Sequence, residues 1–422
     1  MTFLFFVLYA IGIRAYYFGV VVSSLWNSKA KQWRQGRKNL FEKIESSLKP
    51  NEHRVWFHCA SVGEFEQGRP VMEAYRKKFR QHKIVLTFFS PSGFELRKNY
   101  SGADYIFYLP LDTKANAGRF ISLIDPEIAV FVKYEFWFHF LSEIQRRKIP
   151  AVMISAVFRK NHFLFNTVSS PLKRVTMDFR KIFVQDELSF QLLRGNNFTN
   201  AVLAGDTRFD RVWEIASLPE QIPLIATFRN KKKLFVGGST WAPDEKLILQ
   251  LVTELNDEWK FVIVPHEIYA AHLEQLKRES AWPVIFYSEI DTGKKISNEK
   301  ILIVDKIGLL SSIYQYANIA YVGGGFGKGI HNTLEAAVYG IPVLFGPNYE
   351  KFNEAKLLIE NKGASAIKNF EELKAAFQFY QQPENNELGK SNRYCIQRNT
   401  GATKVIVSFL EELNSNIAAS RA

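Results

Sequence analysis

The feature that most constrains the fold is a regular alternation of short apolar runs with amphipathic stretches. One series extends from residues 54–60 to residues 201–203, and a second extends from 234–236 to 342–345. A polar or glycine-bearing turn and then a helical stretch follow each run, which is the pattern of a parallel sheet with helices on both faces. The pattern lapses between Asp206 and Lys233, where we place a domain boundary.

The predicted strands are, in order, Arg54–Ala60, Ile84–Phe89, Tyr105–Leu109, Ile128–Val132, Ala151–Ser155, Ile182–Val184 and Ala201–Leu203, then Leu234–Val236, Phe261–Val264, Val284–Tyr287, Ile301–Val304, Ile319–Val322 and Pro342–Phe345. Residues 349–380 and 386–414 read as mostly helical. Tandem doubly wound domains of this kind place their sites just beyond the carboxyl ends of strands, so we expect the chemistry there, with the two domains facing each other across a cleft.

The size and charge of the chain agree with this organisation. A chain of 422 residues is too long for one ordinary core. The excess of 55 Lys and Arg over 42 Asp and Glu gives a net charge of +13, which favours an anionic partner such as nucleic acid, acidic lipid or a phosphorylated substrate. Cys59 and Cys395 are the two cysteines, they are far apart, and neither is in a CxxC motif. This cysteine usage predicts a reducing compartment and no metal cluster.

Residues 2–26 are apolar except for Arg14, over about the 20 residues that a bilayer span requires. The basic residues follow this stretch, whereas a secretory signal has its positive charges before the apolar stretch. They are Lys29, Lys31, Arg34, Arg37 and Lys38. By the positive-inside rule we predict an uncleaved anchor whose long C-terminal part stays in the cytoplasm. A shallow interfacial helix, or an amphipathic helix packed on the protein itself, are the alternatives.

The stretch 318–347 combines a strand, a glycine loop, a helix and a second strand. The helix is predicted from near Asn332 to Gly340. Such a loop entering a helix can hold an anion. The spacing is not that of the dinucleotide fingerprint, because the acid is Glu335, inside the helix. The alternative is a tight connection in which Asn332 caps the helix and Glu335 completes a capping box.

Other candidate residues also follow predicted strands. Glu64 is either a general base or the acid of a capping box that begins at Ser61. Glu135 is either a site residue or an acid at the start of a helix. Arg208 is either a surface charge or an anion clamp. Residues 237–240, Gly-Gly-Ser-Thr, read as a second loop of backbone donors, and the next strand ends at Pro265-His266.

Several chemistries lack their motifs in this chain. His266-Glu267 is not part of HExxH, and neither a D-x-D motif, a GxSxG elbow nor a GxxxxGK[ST] phosphate loop occurs. We therefore expect no metal and no cofactor. The basic residues are scattered and no nucleic-acid motif stands out, so we expect no nucleic-acid partner.

Eight segments, in this order, resemble the 3-deoxy-D-manno-octulosonic acid (Kdo) transferases, which attach Kdo to the lipid A precursor. They are HCASVGEFEQGRP, LTFFSPSGFE, YLPLD, KYEFW, GDTRFD, GGSTWAPDE, VPHE and YVGGGFGKGIHNTLEAAVYGIPVLFGPNYEKFNEA. The resemblance extends from the apolar N-terminus to about residue 365. It implies an α/β fold of the GT-B type, with two facing Rossmann-like domains and an N-terminal membrane-anchor helix, the acceptor on the first domain and CMP-Kdo on the second.

The resemblance also implies roles for individual residues. Glu64 matches the catalytic base, and Glu135 and Arg208 match positions that steady the transition state. The nucleotide-sugar contacts fall on Gly238, Ser239, Pro265, His266, Ile307, Gly308, Leu309, Gly325, Asn332, Thr333, Leu334 and Glu335. The acceptor contacts fall on Ser61, Gly63, Ser90, Ser92 and Gly93. Within the donor site we expect Asn332 at the phosphate and Glu335 at the ribose.

The chain departs from the family pattern at several of these positions. The family usually has Glu-Thr-Glu-Leu-Trp-Pro-Asn over residues 133–139, so an acid has become Lys133. Lysine is usual at Arg208, arginine is common at His266 and glutamate is common at Leu309, where the contact can now be made only by the backbone.

The domain prediction that follows is a membrane anchor over 1–26, a basic linker over 27–50, an acceptor domain over 51–210, an interdomain linker over 211–232, a CMP-Kdo domain over 233–385, and helices over 386–422 that pack back on the first domain. We expect a metal-independent Kdo transferase that acts on the lipid A precursor, lipid IVA, at the cytoplasmic face of the bacterial inner membrane, whose anionic lipid surface is a further partner. The alternatives are another sugar-nucleotide transferase or epimerase of this fold, and a non-catalytic lipid-binding scaffold.

Overall fold

The computed structural model describes residues 2–166 and 170–421, which divide into two compact units. The first unit is Met1–Asp210 with Thr400–Ala422, and the second is Arg211–Asn399. Each unit contains one parallel sheet of seven strands flanked by helices. The predicted class, two Rossmann-like α/β domains with an apolar helix at the N-terminus, is confirmed.

The elements up to the division are α1 (Thr2–Ser23), α2 (Ser28–Gly36), α3 (Leu40–Ser47), β1 (Arg54–Cys59), α4 (Val62–Lys78), β2 (Lys83–Phe88), α5 (Pro91–Arg97), β3 (Tyr105–Tyr108), α6 (Lys114–Ile124), β4 (Ile128–Val132), α7 (Phe138–Arg146), β5 (Ala151–Ala156), α8 (Ser170–Met177), β6 (Lys181–Val184), α9 (Glu187–Gly195), β7 (Ala201–Leu203) and α10 (Thr207–Ser217), which runs across it.

The elements that follow are α11 (Pro223–Arg229), β8 (Lys233–Thr240), α12 (Ala242–Glu254), β9 (Trp259–Pro265), α13 (Ala270–Glu279), β10 (Val284–Phe286), α14 (Tyr287–Asp291), β11 (Ile301–Ile303), α15 (Leu310–Ile313), β12 (Ile319–Val322), α16 (Leu334–Ala337), β13 (Val343–Phe345), α17 (Asn353–Glu360), β14 (Ala364–Ala366), α18 (Phe370–Gln381), α19 (Asn386–Arg398) and, returning to the first unit, α20 (Ala402–Arg421).

The strand order is β3-β2-β1-β4-β5-β6-β7 in the first sheet and β10-β11-β9-β8-β12-β13-β14 in the second. In each sheet the chain crosses once from one side of the first strand to the other, between β1 and β4 in the first sheet and between β8 and β12 in the second. Loops at such a switch point diverge to opposite faces and leave a crevice at the carboxyl ends of the strands. The fold therefore predicts one candidate site in each unit.

The first sheet is buried on both faces. Trp56 of β1 packs in one apolar cluster with Val85 and Phe131, whereas its neighbour Phe57 packs in another with Val71 and Ile406. Successive side chains of a strand point to opposite faces of the sheet, and here both faces carry apolar residues. A sheet covered by two layers of helices requires this pattern. Ile406 belongs to α20, so the C-terminal helix covers part of this sheet.

Four sequence expectations about the fold need correction. Residues 27–50, expected as a linker, form α2 and α3, because Trp33, Leu40 and Ile44 are buried in the first unit. Strand β14 lies in a region expected to be helical. Its residues Ala-Ser-Ala lack the β-branched side chains that mark a strand in sequence.

The other two corrections concern connections. The expected interdomain linker 211–232 contains most of α10 and all of α11. Of the expected C-terminal return over 386–422, only the part from Thr400 onward belongs to the first unit. Helix α19 stays with the second unit, where the side chain of Asn392 donates to the carbonyl oxygens of Ile341 (2.9 Å) and Gly363 (2.8 Å).

Helix α1 is the only helix within residues 2–166 and 170–421 that is long and apolar enough to cross a bilayer, with a mean hydropathy of 1.8 over Leu4–Ser23. One side of it packs on the first unit. The ring of Phe5 lies 5.3 Å from that of Phe138, and the hydroxyl of Tyr9 accepts a hydrogen bond from the Phe138 amide (3.2 Å) and donates one to Asp112. Leu8, Ile11 and Phe18 on this helix are exposed.

Candidate functional site

The site in the first unit forms where β1 and β4 separate. Glu64 follows β1, at the start of α4, and Glu135 follows β4. Because these two strands are neighbours in the sheet, residues that are 71 positions apart in sequence come together at its carboxyl edge. The two carboxyl groups are close enough for the charge of Glu135 to perturb the titration of Glu64.

Glu64 is 8% exposed, and its Oε2 accepts a hydrogen bond from the Ala60 amide. Burial, and then the negative charge of Glu135, raise the pKa of Glu64 to about 8. Ser61 occupies the cap position of α4, but its side chain makes no capping hydrogen bond. The Ser61 amide does donate to the Glu64 carboxylate, so only the acid half of the alternative capping box is present. A carboxyl group with a pKa near neutrality is suited to accept a proton from a substrate.

Glu135 is oriented by two aromatic side chains. The indole N–H of Trp137 donates to Glu135 Oε2 (2.7 Å) and lies 3.1 Å from Nε2 of His58. His58 is fully buried, and its Nδ1 lies 2.9 Å from the hydroxyl of Thr87. Nε2 of His58 is 3.6 Å from Glu135 Oε2. This network fixes the Glu135 carboxylate beside Glu64.

Arg208 is less available than an anion clamp requires. Its guanidinium donates to both carboxylate oxygens of Asp206, the shortest contact being 2.7 Å from Nη2 to Oδ2. The adjacent Thr207 donates to the carbonyl oxygen of Gln67 on α4 (2.6 Å). Asp210, the last residue of the GDTRFD segment, accepts bonds from the amides of Gly401 and Thr403 at the start of α20. Part of this segment is therefore structural.

The five residues predicted to contact the acceptor lie at the ends of the neighbouring strands β1 and β2. The amide of Ser90 donates to the Ala60 carbonyl oxygen (2.8 Å), and the hydroxyl of Ser90 accepts from the Gly93 amide (3.1 Å). Gly63 and Ser92 are exposed, whereas Gly93 is buried. The carbonyl of Ala60 and its amide thus connect the Ser90 loop with Glu64.

In the second unit, Asp244 holds the loops at the switch point together. Its Oδ2 accepts from the amides of Trp241 and Gly324, each at 2.9 Å, and its Oδ1 accepts from the hydroxyl of Tyr321 (2.8 Å). Asp244 is 1% exposed, and burial raises its pKa. This residue joins the end of β8 to the glycine loop after β12.

The glycines near this point mostly serve close packing. A Cβ on Gly323 would lie 2.4 Å from the carbonyl oxygen of Ser239, and one on Gly325 would lie 2.5 Å from Cα of Gly346. The amides of Gly323 and Gly324 already donate within the protein. Our expectation of a loop that offers free backbone donors is therefore wrong for these residues, and Gly325, a predicted nucleotide contact, is packed against Gly346.

Residues 237–240 also differ from expectation, because they belong to β8 and are not a loop. Gly237 and Gly238 pair with both neighbouring strands. A Cβ on Gly238 would overlap the buried ring of Tyr314, which explains a glycine inside a central strand. At Ser239 the backbone enters the left-handed region, with φ of 52°, and the pairing with β9 shifts.

Three rings are stacked beside this edge. The ring of His266, which follows β9, lies 4.8 Å from that of Trp241 and 4.3 Å from that of His331. The Trp241 indole donates to Nε2 of His331 (3.1 Å). Burial, and then His266, lower the pKa of His331 to about 4, so this ring is neutral at physiological pH. His266 is exposed and available to a ligand, whereas Pro265 before it is buried.

Asn332 and Glu335 contact each other, with Asn332 Nδ2 donating to Glu335 Oε1 (3.0 Å). The helix that they were expected to begin is only α16, four residues long, and the chain continues to Gly340 in turns. Asn332 Oδ1 accepts from the Leu334 amide (3.2 Å), while Thr333 and Leu334 are buried. The side chains of Asn332 and Glu335, in contrast, are partly exposed.

The last predicted nucleotide contacts are at the start of α15. Ile307 is 77% exposed, and Gly308 has a φ of 95°. The Leu309 carbonyl oxygen accepts from the amides of Ser312 and Ile313 and is therefore engaged by the helix. This segment presents mainly backbone and one apolar side chain.

Sequence reasoning did not assign roles to His58, Trp137 or Asp244. His58 lies in the segment that contains Glu64, Trp137 in the segment that contains Glu135, and Asp244 in GGSTWAPDE, which contains Ser239. Membership of these segments was the sequence signal that could have identified them. Within the described residues no group of three His, Cys, Asp or Glu side chains is arranged to hold a metal. The residues at both switch points thus provide acid–base groups and aromatic surfaces.

Comparisons with known proteins agree with this arrangement. The family model of the 3-deoxy-D-manno-octulosonic-acid transferase (kdotransferase) matches residues 32–211. The chain is 29% identical to the 3-deoxy-D-manno-octulosonic acid transferase of Aquifex aeolicus over 78% of its own length and 86% of that protein. It is 22% identical to the enzyme of the same name from Haemophilus influenzae, over 92% and 93% of the two chains.

Among solved structures, the UDP-GlcNAc 2-epimerase of Neisseria meningitidis bound to UDP-GlcNAc is similar, with a TM-score of 0.57 and 16% identity over 85% of this chain and 100% of that one. At this identity the similarity shows a shared fold and does not extend to the reaction.

Proposed function

We propose that this chain, which is similar to the Kdo transferases, is a glycosyltransferase that transfers Kdo from CMP-Kdo to lipid IVA with Glu64 as the general base. The observation that carries this proposal is the buried Glu64 carboxyl group, held on the Ala60 amide beside Glu135 at the switch point of the first sheet. We assign the acceptor to the first unit and the donor to the second.

The proposed reaction is a single displacement. An acceptor hydroxyl attacks the anomeric carbon of Kdo and forms the new C–O bond, the bond from that carbon to the phosphate oxygen breaks, and CMP leaves with the electron pair. Glu64 takes the proton of the hydroxyl. Burial and then the charge of Glu135 raise the pKa of Glu64 and make it a stronger base than an exposed glutamate.

The donor carries a single phosphate. We propose that its leaving charge is met by partly exposed polar groups of the second unit, with Asn332 near the phosphate and Glu335 near the ribose, and that no metal is needed. The aromatic stack with neutral His331 would favour a nucleoside over a bare anion. Asp206 already neutralises the charge of Arg208. In this scheme the two side chains therefore act as a charge-balanced ion pair at the same edge of the first sheet.

We propose further that α1 holds the protein at the cytoplasmic face of the bacterial inner membrane, where lipid IVA is accessible. Its apolar length and the basic residues that follow it support this location.

The test is to incubate the purified full chain with CMP-Kdo and lipid IVA in detergent micelles and to measure the mass of the lipid. We expect the lipid to gain one or more Kdo residues, and an excess of UDP-GlcNAc to leave the rate unchanged. An unmodified lipid, together with consumption of UDP-GlcNAc, would instead identify another sugar-nucleotide enzyme of this fold.

A further inference from the structure

A cavity at the end of α1 has no part in the reaction proposed above. It has a volume of about 950 Å³ and is lined by the end of α1, by α2 and α3, by the turn around Pro110 and by the start of α6. Its size is that of a site for a small organic molecule rather than for a single ion. All of its lining residues belong to the first unit.

The charge on this cavity has one sign. Four of its lining residues are basic, namely Lys31, Arg34, Arg37 and Lys38, and none of the lining residues is acidic. Among the described residues, no carboxylate forms an ion pair with any of these four. Concentrated positive charge without internal compensation favours an anionic ligand.

Arg37 is the most deeply placed of the four. Its guanidinium donates to the carbonyl oxygens of Phe89 (2.8 Å) and Leu109 (2.9 Å) and lies 3.8 Å from the ring centroid of Trp33. These partners fix its position but leave its positive charge without a counter-ion. Burial lowers the pKa of Arg37 to about 9, which a nearby anion would reverse.

Trp33 provides a second, independent observation. It lines the cavity and is 4% exposed, and its indole N–H has no hydrogen-bond partner among the described residues. Buried donors are rarely left in this state, because the lost hydration is costly. A donor next to unpaired cations is suited to an anion with several acceptor oxygens, such as a phosphate.

The position of the cavity indicates where the phosphate comes from. Leu25, at the rim, is 79% exposed, and the adjacent Trp26 is 72% exposed. Tryptophan and lysine residues just beyond an apolar helix are typical of the membrane–water interface. The basic groups therefore lie at the depth of lipid headgroups if α1 is in the bilayer, and apolar surface for acyl chains lies beside them.

We propose that this cavity binds the phosphate-bearing headgroup of a membrane lipid, with its phosphate against Lys31, Lys38 and Arg37 and its acyl chains beside Leu25. This inference goes beyond the transfer reaction and requires only that α1 lies in the membrane. It also gives a function to residues 27–50, which the sequence suggested were a simple linker.

The test is lipid binding to the full chain in neutral detergent, measured by native mass spectrometry without CMP-Kdo or acceptor, so that it does not depend on the transfer reaction. We expect one molecule of phosphatidylglycerol to bind and phosphatidylcholine not to bind. The Lys31→Gln, Lys38→Gln double variant should bind phosphatidylglycerol about 20-fold more weakly. Arg37 is left unchanged because its contacts are structural.

The matched control is Lys29→Gln, Lys43→Gln, which removes two exposed lysines from α2 and α3 that do not line the cavity. It should bind within about twofold of the wild type. Lipid IVA as a competitor separates two sources of the phosphate: displacement of phosphatidylglycerol assigns the cavity to the acceptor, and no displacement assigns it to bulk lipid. Equal loss in both double variants, or equal binding of phosphatidylcholine, would overturn the proposal.

Discussion

At the switch point of the first sheet, burial and the nearby charge of Glu135 raise the pKa of Glu64, whereas at that of the second sheet the buried acid is tied into the backbone and the nearby histidine is neutral. Glu64 accepts from the backbone amides of Ala60 and Ser61 and has a raised pKa, while Asp244 has three donors that join separate loops. His331 completes a stack of rings. The same topology therefore presents a buried acid of raised pKa in one unit and a closely bonded set of loops and rings in the other.

The largest expected effect tests the proton-transfer half of this contrast. Glu64→Gln should lower kcat about 10²–10⁴-fold, because the amide cannot accept the proton of the acceptor hydroxyl. Binding of CMP-Kdo, measured by calorimetry, should be unchanged. The control is Glu66→Gln on the same helix, where the side chain pairs with Arg97 (2.6 Å). If the Glu64→Gln variant kept more than about a tenth of the wild-type rate, the assignment of the base would be contradicted.

The structural acid of the second unit should affect stability. Asp244→Asn places an amide N–H₂ against one of three donors, so we expect the free energy of unfolding of this unit to fall by about 3 kcal/mol. Urea unfolding followed by hydrogen exchange of the second unit measures it. Asp257→Asn, at an exposed site, should change the value by less than about 0.5 kcal/mol. Equal stability of the two variants would mean that Asp244 does not hold the loops.

A smaller effect is expected from the ring stack. Trp241→Ala should weaken CMP binding about fivefold, because His266 loses the ring against which it lies. Trp241→Phe keeps a ring and loses only the bond to His331, so its dissociation constant should stay within about twofold of the wild type. If both variants lose the same affinity, the hydrogen bond and not the stack supports the site.

The smallest expected effect is a shift in the pH dependence of the rate. Glu64 must be ionised to act as a base, so kcat/KM should rise with pH around the pKa of about 8. Glu135→Gln removes a negative charge that helps to raise this pKa. The midpoint of the kcat/KM profile should therefore move to lower pH, whether or not the maximum of kcat/KM also changes. Rates measured from acidic to alkaline pH, on both sides of neutrality, give the midpoint. An unchanged or higher midpoint would separate Glu135 from the titration of Glu64.

The sequence predicted the two-unit fold because its signal is repeated many times. Each buried strand such as Ile128–Val132 is a continuous apolar run that only a doubly covered parallel sheet accommodates. The strand predictions were wrong where the apolar run is missing or where glycines interrupt it. Ala364–Ala366 has small residues, and Gly237 and Gly238 break the apolar sequence pattern of β8, where larger side chains would meet Ile248 and Tyr314.

The site was only partly predictable for a similar reason. Glu64 and Glu135 stand directly after strands, so the rule that sites lie at the carboxyl ends of parallel strands locates them from the sequence alone. The partners that define their chemistry come from distant positions, as when Thr87 of β2 holds His58 of β1. Such contacts depend on the register of neighbouring strands, which no local pattern in the sequence contains.

The contact between α1 and Asp112 has a practical consequence for studies of the isolated enzyme. Asp112 accepts bonds from Tyr9 and from the amides of His139 and Phe140, each amide at 3.1 Å, and burial raises its pKa to about 6. Deleting α1 to obtain a soluble protein removes one of three donors and uncovers the start of α7, next to Trp137. A shortened enzyme that is inactive would then report a disturbed Glu135 loop, and its inactivity could not be attributed to the loss of the membrane alone.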